Sequence, residues 1–179
     1  MELIGSAVVL ALLIGAILLY NRLIGDRNQA RQGYADIDVQ LKRRADLIPR
    51  LVETVRGYAA YEKAVLTSVT ELRAAALAAP RAAERFDRER ALGAGLQKLV
   101  LLQEAYPQLK ADANFRDLQA KLVEVEEQLQ FARRFYNGAV KQYLTRLETF
   151  PDLLVARLFA FQPMPFFESD ERGAVRVTL

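Results

Sequence analysis

The chain has 179 residues, 52% of them hydrophobic, a formal net charge of +3, and neither cysteine nor histidine. The absence of cysteine excludes disulfides and thiolate sites. The absence of histidine excludes Ser-His and Cys-His triads and the commonest metal ligand, so we expect no cofactor and no enzymatic activity. The net charge is modest, and the sequence has neither a concentrated cluster of basic residues nor a nucleic-acid-binding motif. We therefore expect no nucleic acid partner.

The N-terminal stretch from Leu3 to Tyr20 holds no charged residue. As a helix it spans about 27 Å, close to the hydrocarbon thickness of a bilayer. Because lipid offers backbone groups no hydrogen-bond partner, such a run crosses the membrane as a helix. A cleaved signal peptide is the alternative, but the basic n-region and the small-residue cleavage site are both missing. We therefore predict an uncleaved single-pass anchor over residues 1–20.

The arginines that flank the anchor predict its orientation. No basic side chain precedes the anchor, whereas Arg22, Arg27 and Arg31 follow it. The positive-inside rule then places the N-terminus outside and the remaining domain in the cytoplasm. These three arginines lie nearest the bilayer, so we expect them to contact anionic lipid head groups.

A polar, alternately charged segment over 21–36 predicts a helical stalk, followed by one long amphipathic helix. The apolar stripe steps by three and four residues. Its members are Tyr34, Ile37, Leu41, Ala45, Ile48, Val52, Val55, Ala59, Leu66 and Val69. Pro49 falls inside this pattern and predicts a kink or a restarted helix capped by Asp46, and Gly57 is a second weak point.

Three further helices follow. The second is expected from Arg81 to Ala105 and ends before Pro107. The third, capped by Asp112 or Asn114, carries a near-heptad seam from Phe115 to Phe150. A short fourth helix covers 151–161. The sequence thus predicts an all-α protein: one transmembrane helix, then a long, kinked antiparallel four-helix bundle over 37–168 and a loose tail over 169–179.

Two groups of charged residues are candidate contacts on the first bundle helix. Lys42, Arg43 and Arg44 stand beside Asp38 and Asp46. They form either a solvated, self-paired helix face or a basic patch for anionic lipid or a second copy. Among the acidic residues, Asp38, Asp46, Glu53 and Glu62 are expected to pair between helices or between protomers. A metal-binding or catalytic role is disfavoured because nothing fixes an opposing partner for Glu53 and Glu62.

Aromatic residues after the last helix form a third candidate. Phe161, Phe166 and Phe167 lie in the extended segment FQPMPFFE, where two prolines oppose helix formation. They either fold back on the end of the bundle or form an exposed patch for a partner.

Four blocks of the sequence resemble the LemA family of bacterial membrane proteins. The longest is IDVQLKRRADLIPRLVETVRGYAAYEK from Ile37 to Lys63. The others are AYPQLKADANFRDLQ at 105–119, ARRFYNGAV at 132–140, and FP with the later FFE. Tyr61 stands where the family commonly has histidine, and Leu144 stands where it commonly has asparagine.

The resemblance implies a membrane-anchored cytoplasmic helical bundle at the bacterial inner membrane, with no established enzymatic activity. One relative, a magnetosome protein, is tied to membrane invagination, and some relatives are encoded near zinc metalloproteases. We therefore predict a scaffold that self-assembles and organises or remodels the membrane. Mixed charges beside an apolar stripe suit a heterologous contact between copies. The alternative is an adaptor or sensor subunit that binds a membrane protease or an envelope-stress protein.

Overall fold

The computed structural model describes residues 1–80 and 82–167. Within these residues all regular secondary structure is helical, which confirms the predicted all-α class. The helices are α1 Glu2–Tyr58, α2 Lys63–Ala78, α3 Ala82–Ala105, α4 Pro107–Ala111, α5 Ala113–Glu148 and α6 Asp152–Leu158. The predicted four-helix bundle arrangement stays a prediction. The tail predicted over 169–179 and the predicted helix start at Arg81 lie outside the described residues.

The predicted anchor, the predicted stalk and the start of the predicted first bundle helix form one unbroken helix, α1. The predicted restart at Pro49 is wrong, because α1 continues through it to Tyr58. A proline at this position cannot donate to the carbonyl four residues earlier, which belongs to Ala45. That carbonyl instead accepts a 2.7 Å hydrogen bond from Nε of Arg73 in α2. A side chain from a neighbouring helix therefore replaces the missing backbone donor and removes one reason for the helix to break.

The first break in the helix lies further along the chain than the proline. It follows Gly57 by one residue, and a short turn joins α1 to α2 by a 3.1 Å bond from the Glu62 amide to the Ala59 carbonyl. The connection after Tyr106 contains the short helix α4. Asp112 caps α5 as expected, because its Oδ1 accepts a 2.7 Å bond from the Phe115 amide.

The chain divides into two compact units. The membrane-side unit comprises Met1–Asp36 and Ala132–Phe166, and the core unit comprises Ile37–Phe131 with Phe167. In the core unit the predicted stripe of the first bundle helix is confirmed as buried, and apolar residues of α3 and α5 are buried with it. The buried members are Ile37, Leu41, Ala45, Ile48, Val52, Val55, Ala59, Leu66, Val69, Phe86, Leu92, Leu96, Leu99, Phe115, Leu118, Leu122, Val125 and Leu129.

In the membrane-side unit, α1 and α5 approach closely at Gly33. A Cβ there would meet Cδ1 of Phe135 and Cα of Tyr136 at 3.0 Å, so only glycine fits without a shift. The predicted seam of α5 remains buried through Tyr136, Ala139 and Tyr143. Its last predicted member, Phe150, is 78% exposed instead, because α5 stops at Glu148 and the helical phase ends with it.

Candidate functional site

The centre of the core unit holds a buried arginine bound by two carboxylates. Nη2 of Arg44 lies 2.5 Å from Oε2 of Glu89, and both side chains are 1% exposed. The same nitrogen donates to the Glu89 carbonyl at 3.0 Å, and Nη1 lies 2.6 Å from Oε1 of Glu126. Arg44, Glu89 and Glu126 thereby connect α1, α3 and α5. Burial lowers the pKa of Arg44, but the two carboxylates outweigh this effect, and the pKa is raised from its ordinary value.

This arrangement is structural, since an arginine that never loses its proton cannot act as an acid or a base. It also corrects the sequence analysis, which grouped Arg44 with Lys42 and Arg43 as an accessible basic patch. Lys42 and Arg43 are exposed, but Arg44 is inaccessible to lipid or to a second copy. The reason is helical phase, because position 44 lies three residues after Leu41 and four before Ile48, both on the buried stripe.

A signal for this ion pair was present in the sequence. Glu89 lies three residues from both Phe86 and Leu92, on the buried face of α3. Two charges of opposite sign at buried phases of neighbouring helices indicate a buried pair, since an unpaired buried charge costs too much. Neither Glu89 nor Arg85 is among the residues predicted from the sequence. Nη2 of Arg85 lies 2.6 Å from Oδ1 of Asp38. Asp38 of α1 therefore pairs with a residue of α3.

The remaining acidic candidates lie in different surroundings. The hydroxyl of Tyr106 donates to Oε1 of Glu62 at 3.0 Å. This bond links the connection between α1 and α2 to the connection between α3 and α4. This hydrogen bond, with burial as the second cause, raises the pKa of Tyr106. Asp46 and Glu53 are exposed, and neither makes an ion pair with another described residue. Among the described residues no three acidic side chains gather into a group that could hold a metal.

A hydrogen bond between two side chains joins the end of α1 to the start of α5. The hydroxyl of Tyr58 donates to Oδ2 of Asp112 at 2.8 Å, which raises the pKa of Tyr58. The pKa of Asp112 is lowered from 3.8, first by the Phe115 amide and then by the Tyr58 hydroxyl, because both donate to the charged form. The two bonds at Asp112 therefore favour its ionised state.

The exposed face of α1 carries charges of both signs. The side chains on it are Lys42, Arg43, Asp46, Arg50, Glu53 and Arg56, which we call the charged face. Arg43 lies 3.8 Å from Glu124 in an exposed pair, which contributes little to stability. Lys42, Asp46, Arg50, Glu53 and Arg56 form no ion pair with the described residues. The self-paired arrangement considered from sequence is therefore not present among these residues.

Beside the charged face a cavity of about 390 Å³ opens between α1 and α2. Ile48, Pro49 and Val52 form its apolar wall, and Glu53, Arg56, Thr70 and Arg73 add polar groups. The cavity lies next to the Arg73–Ala45 hydrogen bond and shares Glu53 and Arg56 with the charged face.

In the membrane-side unit an acidic residue of α1 holds α5 and α6. Asp26 is only 7% exposed, and its carboxylate pairs with Nε of Arg146. Its Oδ1 also accepts a 2.8 Å bond from Nε2 of Gln142. Nη1 of Arg146 lies 3.8 Å from Oδ1 of Asp152, the first residue of α6. Arg146 therefore links the start of α6 to α1 through its contacts with two carboxylates.

The segment after α6, residues 161–166, is tied to α5 and is called the strap. The Tyr143 hydroxyl donates to the Gln162 carbonyl at 2.9 Å, and the Tyr136 hydroxyl donates to the Pro165 carbonyl at 2.7 Å. Burial, with a smaller effect of Tyr34, raises the pKa of Tyr136 to about 12.

The three aromatic candidates of this region are placed differently. Phe161 is partly buried, with its ring 5.8 Å from Tyr20 and 5.1 Å beneath the guanidinium of Arg27. Phe166 is 38% exposed. Phe167 is 3% exposed and packs against Phe86 in the core unit at 4.0 Å, so it cannot belong to an exposed patch. Of the two alternatives that the sequence left open, Phe167 is therefore buried.

Of the arginines that follow the apolar run, Arg22 and Arg31 are exposed.

Comparison with known proteins gives a family match over most of the chain. The model of the LemA family matches residues 33–178, which confirms the resemblance seen in the sequence blocks. Two relatives from Paramagnetospirillum magneticum carry the names magnetosome protein MamQ 1 and magnetosome protein MamQ 2. Each is 19% identical over 191 aligned positions, which cover 92% of this chain and 70% of the relative.

Proposed function

The chain belongs to the LemA family, and on that premise we propose that it is a membrane-anchored, non-enzymatic scaffold that self-assembles at the bacterial inner membrane and organises or remodels it. The similarity to two magnetosome proteins supports an association with membranes. The charged face of α1 is the observation that carries the self-assembly.

The first support for anchoring is the apolar start of α1, the one described helix that is long and apolar enough to cross a bilayer. None of its apolar window is buried inside the protein. Leu3 is 87% exposed, Leu12 69% and Leu18 63%. Burial of such side chains in an apolar phase is favourable by about 1.5–3 kcal/mol each, and no described part of the chain supplies that phase. A bilayer supplies it.

The orientation follows from the arginines after the anchor. Arg22 and Arg31 are exposed close to the apolar run, where cytoplasmic positive charge is favoured. We place the N-terminus outside and the folded domain in the cytoplasm. The chain has no cysteine, so Thr67→Cys, at an exposed position, introduces a single thiol. Labelling of that thiol by a membrane-impermeant reagent in intact cells would contradict this orientation.

Self-assembly is supported by what the charged face lacks. Five of its six charged side chains make no ion pair with the described residues, and they alternate in sign along the helix. A surface of this kind can meet a second surface with complementary charges at little cost, because its side chains have no internal partner to lose. A heterologous contact, in which one face meets a different face of the next copy, extends into an array that could impose shape on a membrane.

The experiment reverses the exposed charges and leaves the buried arginine unchanged. The variant Lys42→Glu/Arg50→Glu should reduce the particle size of the full chain extracted in mild detergent, with helicity unchanged by circular dichroism. The matched control Lys63→Glu/Lys98→Glu reverses two exposed lysines elsewhere in the core unit and should leave the particle size as it is. Equal effects of the two variants on particle size would show that the charged face is not the contact between copies.

An adaptor or sensor subunit for a membrane protease or a stress protein is the second candidate. The charged face and the cavity beside it would serve that function as an interface with another protein. A defined complex with one other membrane protein, combined with a monomeric state of this chain, would favour the adaptor.

A further inference from the structure

Helix α6 exposes apolar side chains on the face opposite to the one it buries. Val155 and Ala156 are buried against Leu23 of α1, together with Leu19 and Tyr20. On the other face, Leu154 is 59% exposed and Leu158 is 78% exposed. Phe159 at 56% and Phe150 at 78% extend this surface at the two ends of the helix. In water, a helix that is apolar on both faces leaves large side chains without cover.

The position of α6 identifies what can cover this surface. The ring of Tyr20, the last residue of the apolar run, lies 4.8 Å from the ring of Phe159 and 5.8 Å from that of Phe161. The residues of α1 that α6 contacts, from Leu19 to Leu23, extend over only about 6 Å of helix axis. The polar region on each side of a bilayer is of similar thickness, about 5–8 Å.

From this position we infer that α6 and its flanking phenylalanines form a second membrane contact, embedded in the interfacial region of the bilayer where the anchor emerges. The partner is the phospholipid surface, with Leu154, Leu158, Phe150 and Phe159 entering the boundary between head groups and acyl chains. This inference rests on the proposed membrane anchoring and adds a contact that the anchor alone does not provide.

Charge and rigidity both fit a lipid partner. Arg157, on α6, and Arg22, two residues past Tyr20, are exposed at this end of the unit and can contact anionic head groups. The Asp26–Arg146 pair and the contact of Arg146 with Asp152 hold the start of α6. The Tyr143 bond to the strap holds the chain that follows. The apolar surface is therefore fixed in place before it meets lipid, which reduces the entropic cost of the contact.

The experiment measures the depth of single positions in the full chain. Because the chain lacks cysteine, Leu158→Cys, Ile14→Cys and Gln32→Cys each provide one site for an environment-sensitive fluorophore. Ile14 lies inside the apolar run. Gln32 is an exposed residue of the same unit, about 18 Å along α1 from Tyr20. The labelled proteins are reconstituted in phosphatidylethanolamine–phosphatidylglycerol vesicles, with doxyl-labelled lipid or aqueous iodide as the quencher.

We expect doxyl lipid to quench the labels at Leu158 and Ile14 several-fold more than the label at Gln32, and iodide to show the reverse order. Adding Leu154→Glu should reduce the doxyl quenching at position 158. Quenching at Leu158 like that at Gln32, with Ile14 still quenched by lipid, would overturn the interfacial contact and leave the anchor intact. Protection of Leu158 from iodide without lipid quenching would also overturn it, since a protein would then cover the surface. Loss of lipid quenching at Ile14 would instead overturn the anchoring on which the proposed function rests.

Discussion

The guanidinium of Arg73 replaces the backbone donor that Pro49 lacks, by a 2.7 Å bond from Nε to the carbonyl of Ala45. Helix α1 therefore continues where a proline would ordinarily interrupt it. A partly buried carbonyl without this donor would be destabilising, because its desolvation would not be offset by a hydrogen bond.

The first prediction concerns this replacement. Arg73→Met should lower the free energy of unfolding by about 1–3 kcal/mol in the native sequence, because the Ala45 carbonyl loses its donor. In a Pro49→Ala background the restored amide can bond to that carbonyl, so the same change should cost less than about 1 kcal/mol. Urea melts of the full chain in mild detergent would measure both. An equal cost in the two backgrounds would show that the bond does not substitute for the missing amide.

The second prediction concerns the Arg44–Glu89 pair. Glu89→Leu should cost about 3–5 kcal/mol, because it leaves a buried guanidinium with only the half-exposed Glu126 as a charged partner. The double variant Arg44→Met/Glu89→Leu should be more stable than Glu89→Leu alone, since no buried charge then remains uncompensated. Urea melts of the full chain in mild detergent would measure the stabilities of the two variants. A double variant less stable than the single one would mean that Arg44 still stabilises the fold through Glu126 when Glu89 is absent, and would contradict this prediction.

The third prediction concerns the pH dependence of the stability that Asp112 contributes. The lowered pKa of Asp112 means that its contribution is complete above its unfolded value, near 3.8, and is lost as the pH falls through the lower folded value. Asp112→Ala should therefore lower the melting temperature at neutral pH, and the difference from the native chain should shrink below pH 3.8. Tyr58→Phe, which keeps the cap, is the control. A difference that stays constant with pH would contradict the ionised cap.

The buried stripes were predictable because helical phase alone decides them. Ile37, Leu41, Ile48 and Val55 recur at steps of four and seven, and this spacing places them on one face whatever the partner helix is. The same rule, applied to charged residues, would have placed Arg44 inside. As one of three adjacent charged residues, Arg44 is predicted to be accessible, and that prediction ignores its helical phase.

Other features depend on residues distant in sequence and could not be found from local pattern. The continuity of α1 at Pro49 requires an arginine 24 positions later, and no local signal connects the two. Phe150 fits the seam by spacing, but α5 ends two residues before it. The apolar surface of α6 was visible as composition, whereas its position beside Tyr20 needed the fold.

The central claim, self-assembly on the membrane, is tested most directly by the mass of the full chain cross-linked in native membranes and then extracted in mild detergent. The proposed scaffold predicts particles of several copies, and these should decrease in size in the Lys42→Glu/Arg50→Glu variant but not in Lys63→Glu/Lys98→Glu. A native chain that remains at the mass of one copy, both after cross-linking and in detergent, would contradict the scaffold.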